Sequence, residues 1–288
     1  MTAKNPEKIV PVFDPHNNFL LELDYRSKEE RPFERHWLQH LIDGGVKVQV
    51  CAVNVCYRPP AEKLGAALRQ IAAFHRAVAE AGDQVTCIRT SEDLDRVLAG
   101  DSIGLVLALE GVDIMDGDLE LLEAVWELGV RWFGLTWNYS NTYAGAFGDG
   151  NGRGLSDQGR ELVKQLQERG GVIDLAHASP ETVSDVLALE HMIPPVVTHS
   201  ACQAVFDSPR NMTDDQLREM AVAGGCSGSC ACHSASTPRR RRWSGSSTTL
   251  TMPGPSSELA ASVSAETFTA RWPEAEPRVQ TRPTRPSR

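Results

Sequence analysis

Six short apolar runs, each closed by polar residues and separated by helical patterns, constrain this chain more than any other feature. They are Ile9–Phe13, Val46–Val53, Ile103–Leu109, Arg131–Thr136, Gly171–Leu175 and Pro195–Thr198, and another starts at Gly224. Between them lie amphipathic segments. In Glu62–Ala81, residues Leu64, Leu68, Ile71, Phe74 and Val78 recur at spacings of three and four, the period of one helix face. Ser179 followed by Pro180, and Thr213 with Gln216, are helix-start signals. Gly44-Gly45, Gly82, Gly100 and Gly224-Gly225 fall where helices stop and strands begin. Strand, helix, strand at this rhythm predicts parallel βα units. An open dinucleotide-binding sheet would place a Gly-rich turn after its first strand, and Asp14-Pro15-His16-Asn17-Asn18 stands there instead. A (β/α)8 TIM-type barrel is the better expectation, because barrels collect polar side chains at the C-terminal ends of many strands.

The rhythm stops at a change of composition. Residues 1–225 hold 20 Lys+Arg against 34 Asp+Glu; residues 226–288 hold nine Arg, four Glu, no Lys and no Asp. The second segment has twelve Ser, eight Thr and seven Pro but only five Leu, Ile, Val or Phe, too few to build a core. The chain therefore divides into a partial barrel, 1–225, truncated after six to seven strands, and a disordered Arg/Ser/Thr/Pro-rich tail, 226–288. The net charge of −9 over 288 residues argues against a nucleic-acid partner. No stretch reaches the roughly 18 apolar residues of a membrane span, and the N-terminus has no secretory core, so no membrane partner and a cytoplasmic location are expected. Seven cysteines, an odd number, suit reduced thiols.

His16, His177 and His199 stand at strand ends, and so does Glu110. Imidazole and carboxylate suit zinc and related divalent ions, and a barrel points its strand ends into one mouth. His36 and His40 share a helix face, but Trp37 follows the first where a zinc helix needs Glu. His75 and His191 read as helix or surface residues. Cys226, Cys230, Cys232 and His233 match no common zinc spacing.

The motifs FDPHNN at 13–18, ALEG at 108–111, ELGVRWFGLTWNYSN at 127–141, GLSDQGRELV at 154–163, GGVIDLAHAS at 170–179, THS at 198–200 and SPRNMTDDQL at 208–217 resemble the membrane (renal) dipeptidases, peptidase family M19, of the amidohydrolase barrels. The resemblance implies a two-zinc site with His16 on one metal, Glu110 as the bridge, and His177 and His199 on the other. It implies metal-assisted hydrolysis of a dipeptide whose C-terminal carboxylate is held by Arg210, a task suited to a planar guanidinium. A homodimer is the assembly considered. Other amidohydrolase activities, such as lactone or acylated amino acid hydrolysis, and a non-catalytic or pseudogene remnant of the barrel are the alternatives.

Three positions depart from the family pattern. Asn18 stands where His-x-Asp has its Asp, and a neutral amide is a poorer ligand, so a weak or absent first metal is expected. Trp137 replaces the histidine usual after Leu-Thr, and an indole accepts no hydrogen bond. The Asp that the family places at the end of its eighth strand to handle the proton of the attacking water is missing from 226–288. Read one base out of phase, Gly225–Ser229 can encode Val-Leu-Gly-Val-Val, and Ser247–Met252 can encode Asp-His-Pro-Asp-His-Ala. In the same phase Ala261–Thr269 can encode Val-Gly-Ile-Gly-Gly-Asp-Phe-Tyr-Gly, which restores the strand and its aspartate. A frameshift at about Gly225 is therefore expected, with little or no activity in the chain as written.

Overall fold

The computed structural model describes residues 11–229 and a two-residue strand at 250–251. Strands β1 (Val12–Asn17), β2 (Val46–Val53), β3 (Val85–Cys87), β4 (Ile103–Glu110), β5 (Val130–Gly134), β6 (Val172–Asp174), β7 (Val196–Ser200), β8 (Cys226–Ser229) and β9 (Leu250–Thr251) form one sheet. The order β1-β2-β4-β5-β6-β7-β8 is parallel throughout, giving a nearly closed barrel of seven strands. β3 pairs with the lower part of β4, and β9 runs antiparallel to β8 and lies against β1. The helices are α1 (Phe19–Tyr25), α2 (Gln39–Asp43), α3 (Pro60–Ala81), α4 (Ser91–Ala99), α5 (Leu121–Glu127), α6 (Asp157–Arg169), α7 (Pro180–Leu187) and α8 (Asp214–Val222). A π-helical turn at Glu34–Leu38 runs into α2.

The two-residue period of the strands sorts their side chains into two layers. Cys51 and Val53 on β2, Leu105, Leu107 and Leu109 on β4, Phe133 on β5 and Ile173 on β6 join the core under the helices. Val48 and Val50, Val106 and Ala108, Trp132 and Val172 form the other, inner cluster with Ile88, Val97 and Ile193. Glu110 continues the Val106–Ala108 series, so its carboxylate is directed to the barrel interior at the end of β4. Opposite it on β5 is Gly134, where a Cβ would come within 2.9 Å of the Leu109 carbonyl oxygen. The β4–β5 pairing at the mouth therefore needs a residue without a side chain.

Several elements differ from the sequence expectation. β1 begins later and runs on through Pro15 and His16, so His16 is on the strand rather than after it. Its pairing with β2 shifts register between Val12 and Phe13 and again between Asp14 and Asn17, around a proline that has no N–H to give. The buried face of α3 is made by Ala66, Ala67, Gln70, Ile71, Ala73, Phe74 and Ala77, while Leu64 and Leu68 are exposed. Small residues let the long helix approach the barrel closely, and the larger leucines were the misleading signal. The strand expected from Gly224 forms as Cys226–Ser229, past the point where composition changes. The Ser179–Pro180 start and the Thr213/Gln216 capping box form as expected. Cys51, Cys56, Cys87, Cys202 and Cys226 are free thiols. The expected tail beyond Ser229, with Cys230, Cys232, His233, the Arg239–Arg242 patch and both re-read segments at 247–252 and 261–269, lies outside the described residues except for the backbone of β9. Among the described residues no helix is long and apolar enough to cross a membrane.

Candidate metal centre

Four strand ends bring His16, Glu110, His177 and His199 together at the barrel mouth. His177 Nε2 is 3.1 Å and His199 Nε2 3.5 Å from Glu110 Oε1, and His16 Nε2 is 3.6 Å from Glu110 Oε2. The two nitrogens His177 Nε2 and His199 Nε2 are 2.8 Å apart. The ring centroids of His16 and His199 are 3.9 Å apart, and ligand atoms of His16, Glu110 and His199 lie within 4.8 Å of one another. Glu110, His177 and His199 are buried, and His16 is half-buried. His177 sits three residues beyond β6 with φ of 67°, a left-handed conformation uncommon for a residue with a side chain. The surrounding structure holds it there: the His177 carbonyl accepts from Phe147 N at 3.0 Å.

The hydrogen bonds around the cluster leave its inward-facing nitrogens without protons. The single hydroxyl proton of Thr198 is given to Asp174 Oδ2 at 2.6 Å. Thr198 Oγ1 therefore accepts from His199 Nδ1, 2.8 Å away, which leaves His199 Nε2 without a proton. His177 Nδ1 donates to Asn138 Oδ1 at 2.9 Å, leaving His177 Nε2 bare as well. Two nitrogen lone pairs and a carboxylate oxygen thus face one another with no proton between them. That donor set fits a divalent cation, and outer partners that fix the imidazole tautomer are what metal ligands carry.

The electrostatics agree. Burial alone would push the Glu110 carboxyl up, but the neighbouring His16 imidazole leads the contacts that outweigh it and hold the group well below the ordinary carboxylate range. Burial pushes His177 down, and the charge of Arg210 adds to the effect. Burial drives His199 well below the usual imidazole range, helped by His16 and Arg210. Buried neutral imidazoles are ready for a metal.

These shifts set a pH response for the metal-free chain. His177 and His199 bind protons more readily when unfolded, where their pKa is near 6.5, so stability falls as pH drops below that value. Glu110 adds stability above its ordinary 4.5 that is lost as pH falls further. The thermal midpoint of the metal-free chain is expected to decline steadily from about pH 7 to about pH 5 and faster below. A midpoint constant across that range would contradict the assignment.

Arg210 is buried; its Nη2 donates to the His199 carbonyl at 2.7 Å and its guanidinium stands 5.7 Å from the Phe147 ring centroid. Phe147 and Trp137 both pack near His177, with centroids at 5.9 and 6.3 Å. Asn18 is exposed and places Nδ2 3.0 Å from His16 Nε2. The histidines given a bland reading do have ordinary partners: His36 pairs with Glu29 at 2.8 Å, His75 bonds the Leu128 carbonyl at 2.9 Å and His191 that of Val186 at 2.8 Å. Burial pushes the Cys56 thiol up, and the group contacts the Glu110 carbonyl and Asp113 Oδ2, both at 3.2 Å, as an inert thiol would.

The sequence reading missed the supporting residues. Asn54 and Asn138 carried a signal, since each follows an apolar run, but the Asp174–Thr198–His199 chain exists only in three dimensions. Replacing Thr198 by Val is expected to weaken metal binding about 10- to 100-fold while the backbone bond from residue 198 to Asp174 persists. A competition titration with a chelator reads this directly, and an unchanged affinity would mean that His199 is oriented by other contacts.

Comparison with known proteins gives a consistent picture. Residues 3–230 match the membrane dipeptidase family, peptidase family M19. Dipeptidase verJ of Clonostachys rogersoniana is 32% identical over 167 residues, 57% of this chain and 42% of that one. Dipeptidase 3 of Homo sapiens is 29% identical over 230 residues, 75% of this chain and 46% of that one. The chain thus spans about half the length of these curated relatives. A metallopeptidase from Rhodobacter sphaeroides, solved with a phosphinate mimic of the dipeptide L-Ala-D-Ala, superposes with a TM-score of 0.70 at 23% identity, over 77% of this chain and 74% of that one. That likeness is one of fold.

Proposed function

Because the chain belongs to the membrane dipeptidase family, peptidase family M19, we propose that it is the metal-holding portion of a zinc-dependent dipeptidase. The observation that carries this reading is the convergence of Glu110 Oε1, His177 Nε2 and His199 Nε2 with no proton to share. A bound zinc ion supplies Lewis-acid polarisation of the scissile carbonyl and activation of water. The chain's own residues do the rest. Asn138 and Thr198 keep His177 and His199 in the tautomer that offers Nε2. Arg210 binds the C-terminal carboxylate of the dipeptide, and its stacking position beside Phe147 and its tie to the His199 carbonyl keep the guanidinium near the metal side. Trp137 and Phe147 present apolar rings to the substrate on the His177 side.

The chain as written is a binder that turns over little or no substrate. Residues 226–288 contain no Asp, so the aspartate that the family resemblance places at the end of an eighth strand to take the proton of the attacking water is missing from the sequence. A change of reading frame near Gly225 accounts for both this loss and the abrupt change of composition. The test is a frame-corrected chain, loaded with zinc and assayed on a panel of dipeptides beside the chain as written. Hydrolysis by the corrected chain alone is expected. A folded, zinc-loaded corrected chain that cleaves no dipeptide but opens lactones or acylated amino acids would replace this reading with another amidohydrolase activity. An uninterrupted frame on resequencing codons 220–230 would dispose of the frameshift.

A further inference from the structure

Two side-chain amides flank the cluster on the His16 side. Asn54 Nδ2 donates to Glu110 Oε2 at 2.7 Å. The orientation of this amide is fixed, because its Oδ1 accepts from the Cys56 N–H at 3.2 Å and so Nδ2 has to face the carboxylate. The Asn54 backbone is held in turn by buried Gln70 on α3, which accepts from its N–H at 3.1 Å and donates to its carbonyl at 3.0 Å. The second amide is Asn18, 3.0 Å from His16 Nε2. If its Nδ2 faces the ring, an N–H covers the nitrogen lone pair; if its oxygen does, the ring nitrogen must carry the proton. Either way His16 Nε2 is committed to the amide. On the other side of the carboxylate, Oε1 faces only the two bare nitrogens of His177 and His199.

We propose that this chain holds one metal ion, on Glu110 Oε1, His177 and His199, and that Asn18 closes the His16 side of the carboxylate to a second. The inference rests on the metal reading above. The Asn54 N–H occupies one lone pair of Glu110 Oε2 and leaves the other, so what decides the His16 side is the ligand set beyond the carboxylate. A second ion would also need a ligand beside His16, and a neutral amide at residue 18 is a weak one. Asp at that position would supply an anionic oxygen beside His16 and remove the amide N–H that can cover His16 Nε2.

The test is titration of the full-length chain with cobalt(II), which follows zinc into nitrogen and oxygen sites and reports thiolate ligation by a separate charge-transfer band. The non-thiolate signal is expected to saturate at one equivalent in the unaltered chain and to double to two in Asn18→Asp. His16→Ala is expected to keep the single equivalent, and His199→Ala to lose it. Two equivalents in the unaltered chain, no gain in Asn18→Asp, or loss of the ion in His16→Ala would each overturn the single-ion assignment while leaving a metal protein. No non-thiolate cobalt in the unaltered chain, with His199→Ala indistinguishable from it, would overturn the metal reading itself. Residue 18 is exposed and the change isosteric, so the fold is kept, and the His16→Ala result stands whether or not the Asp variant folds.

Discussion

Glu110→Ala is expected to abolish metal binding, lowering affinity by more than the roughly 100-fold that removing an outer partner costs. Among the described residues Glu110 is the one carboxylate that pairs with all three imidazoles. Without it, His177 and His199 are two neutral ligands 2.8 Å apart with no charge to offset that of the ion. The change also strips Asn54 Nδ2 of its acceptor in a buried setting, which costs about 1–3 kcal/mol of stability. Two readouts should therefore move together: the calorimetric zinc isotherm flattens, and the denaturation midpoint of the metal-free chain drops. Glu110→Gln separates them, since its amide oxygen can still accept from Asn54 while the anionic ligand is lost. Retained affinity within tenfold in Glu110→Ala would place the ion elsewhere.

Phe133→Ala is expected to cost about 3–5 kcal/mol, the range for truncating a fully buried aromatic. Phe133 has no exposed surface and lies on the helix side of β5, with its ring 6.3 Å from that of Trp126 and nearly parallel to it. It joins β5 to α5 and touches the layer formed by Leu109 and Ile173 on the adjacent strands. Urea unfolding followed by near-ultraviolet circular dichroism measures it; a change under about 1 kcal/mol would mean that the layer repacks freely.

The parallel barrel was legible in the sequence because its evidence is local and repeated. Each of the longer strands is a compact apolar run, and a polar residue of chemical interest closes it, so Glu110 and His199 could be read directly. β3 was not legible, being three residues with a single fully buried side chain. The face of α3 was misread for a physical reason: periodicity counts large apolar residues, whereas close packing on the barrel selects alanine and one glutamine whose amide is satisfied by Asn54. His177 illustrates the same limit from another side. Its type was informative, but nothing local announces the left-handed backbone that turns its ring toward Glu110. The amides of Asn54 and Asn138 were visible as polar punctuation only, because their roles depend on which oxygen or nitrogen they turn to a residue far away in the chain.

The two strands and the loop that meet at this site come from separate parts of the chain: β4 with Glu110, the segment after β6 with His177, and β7 with His199. An ion held there would fasten those segments to one another as a cross-link does, and only the folded chain could present them together. Metal supply then becomes a folding variable: an ion at a hundredfold excess over its dissociation constant adds about 2.7 kcal/mol, and a chelator acts as a mild denaturant. The fraction of folded protein would then rise and fall with the divalent ions around it.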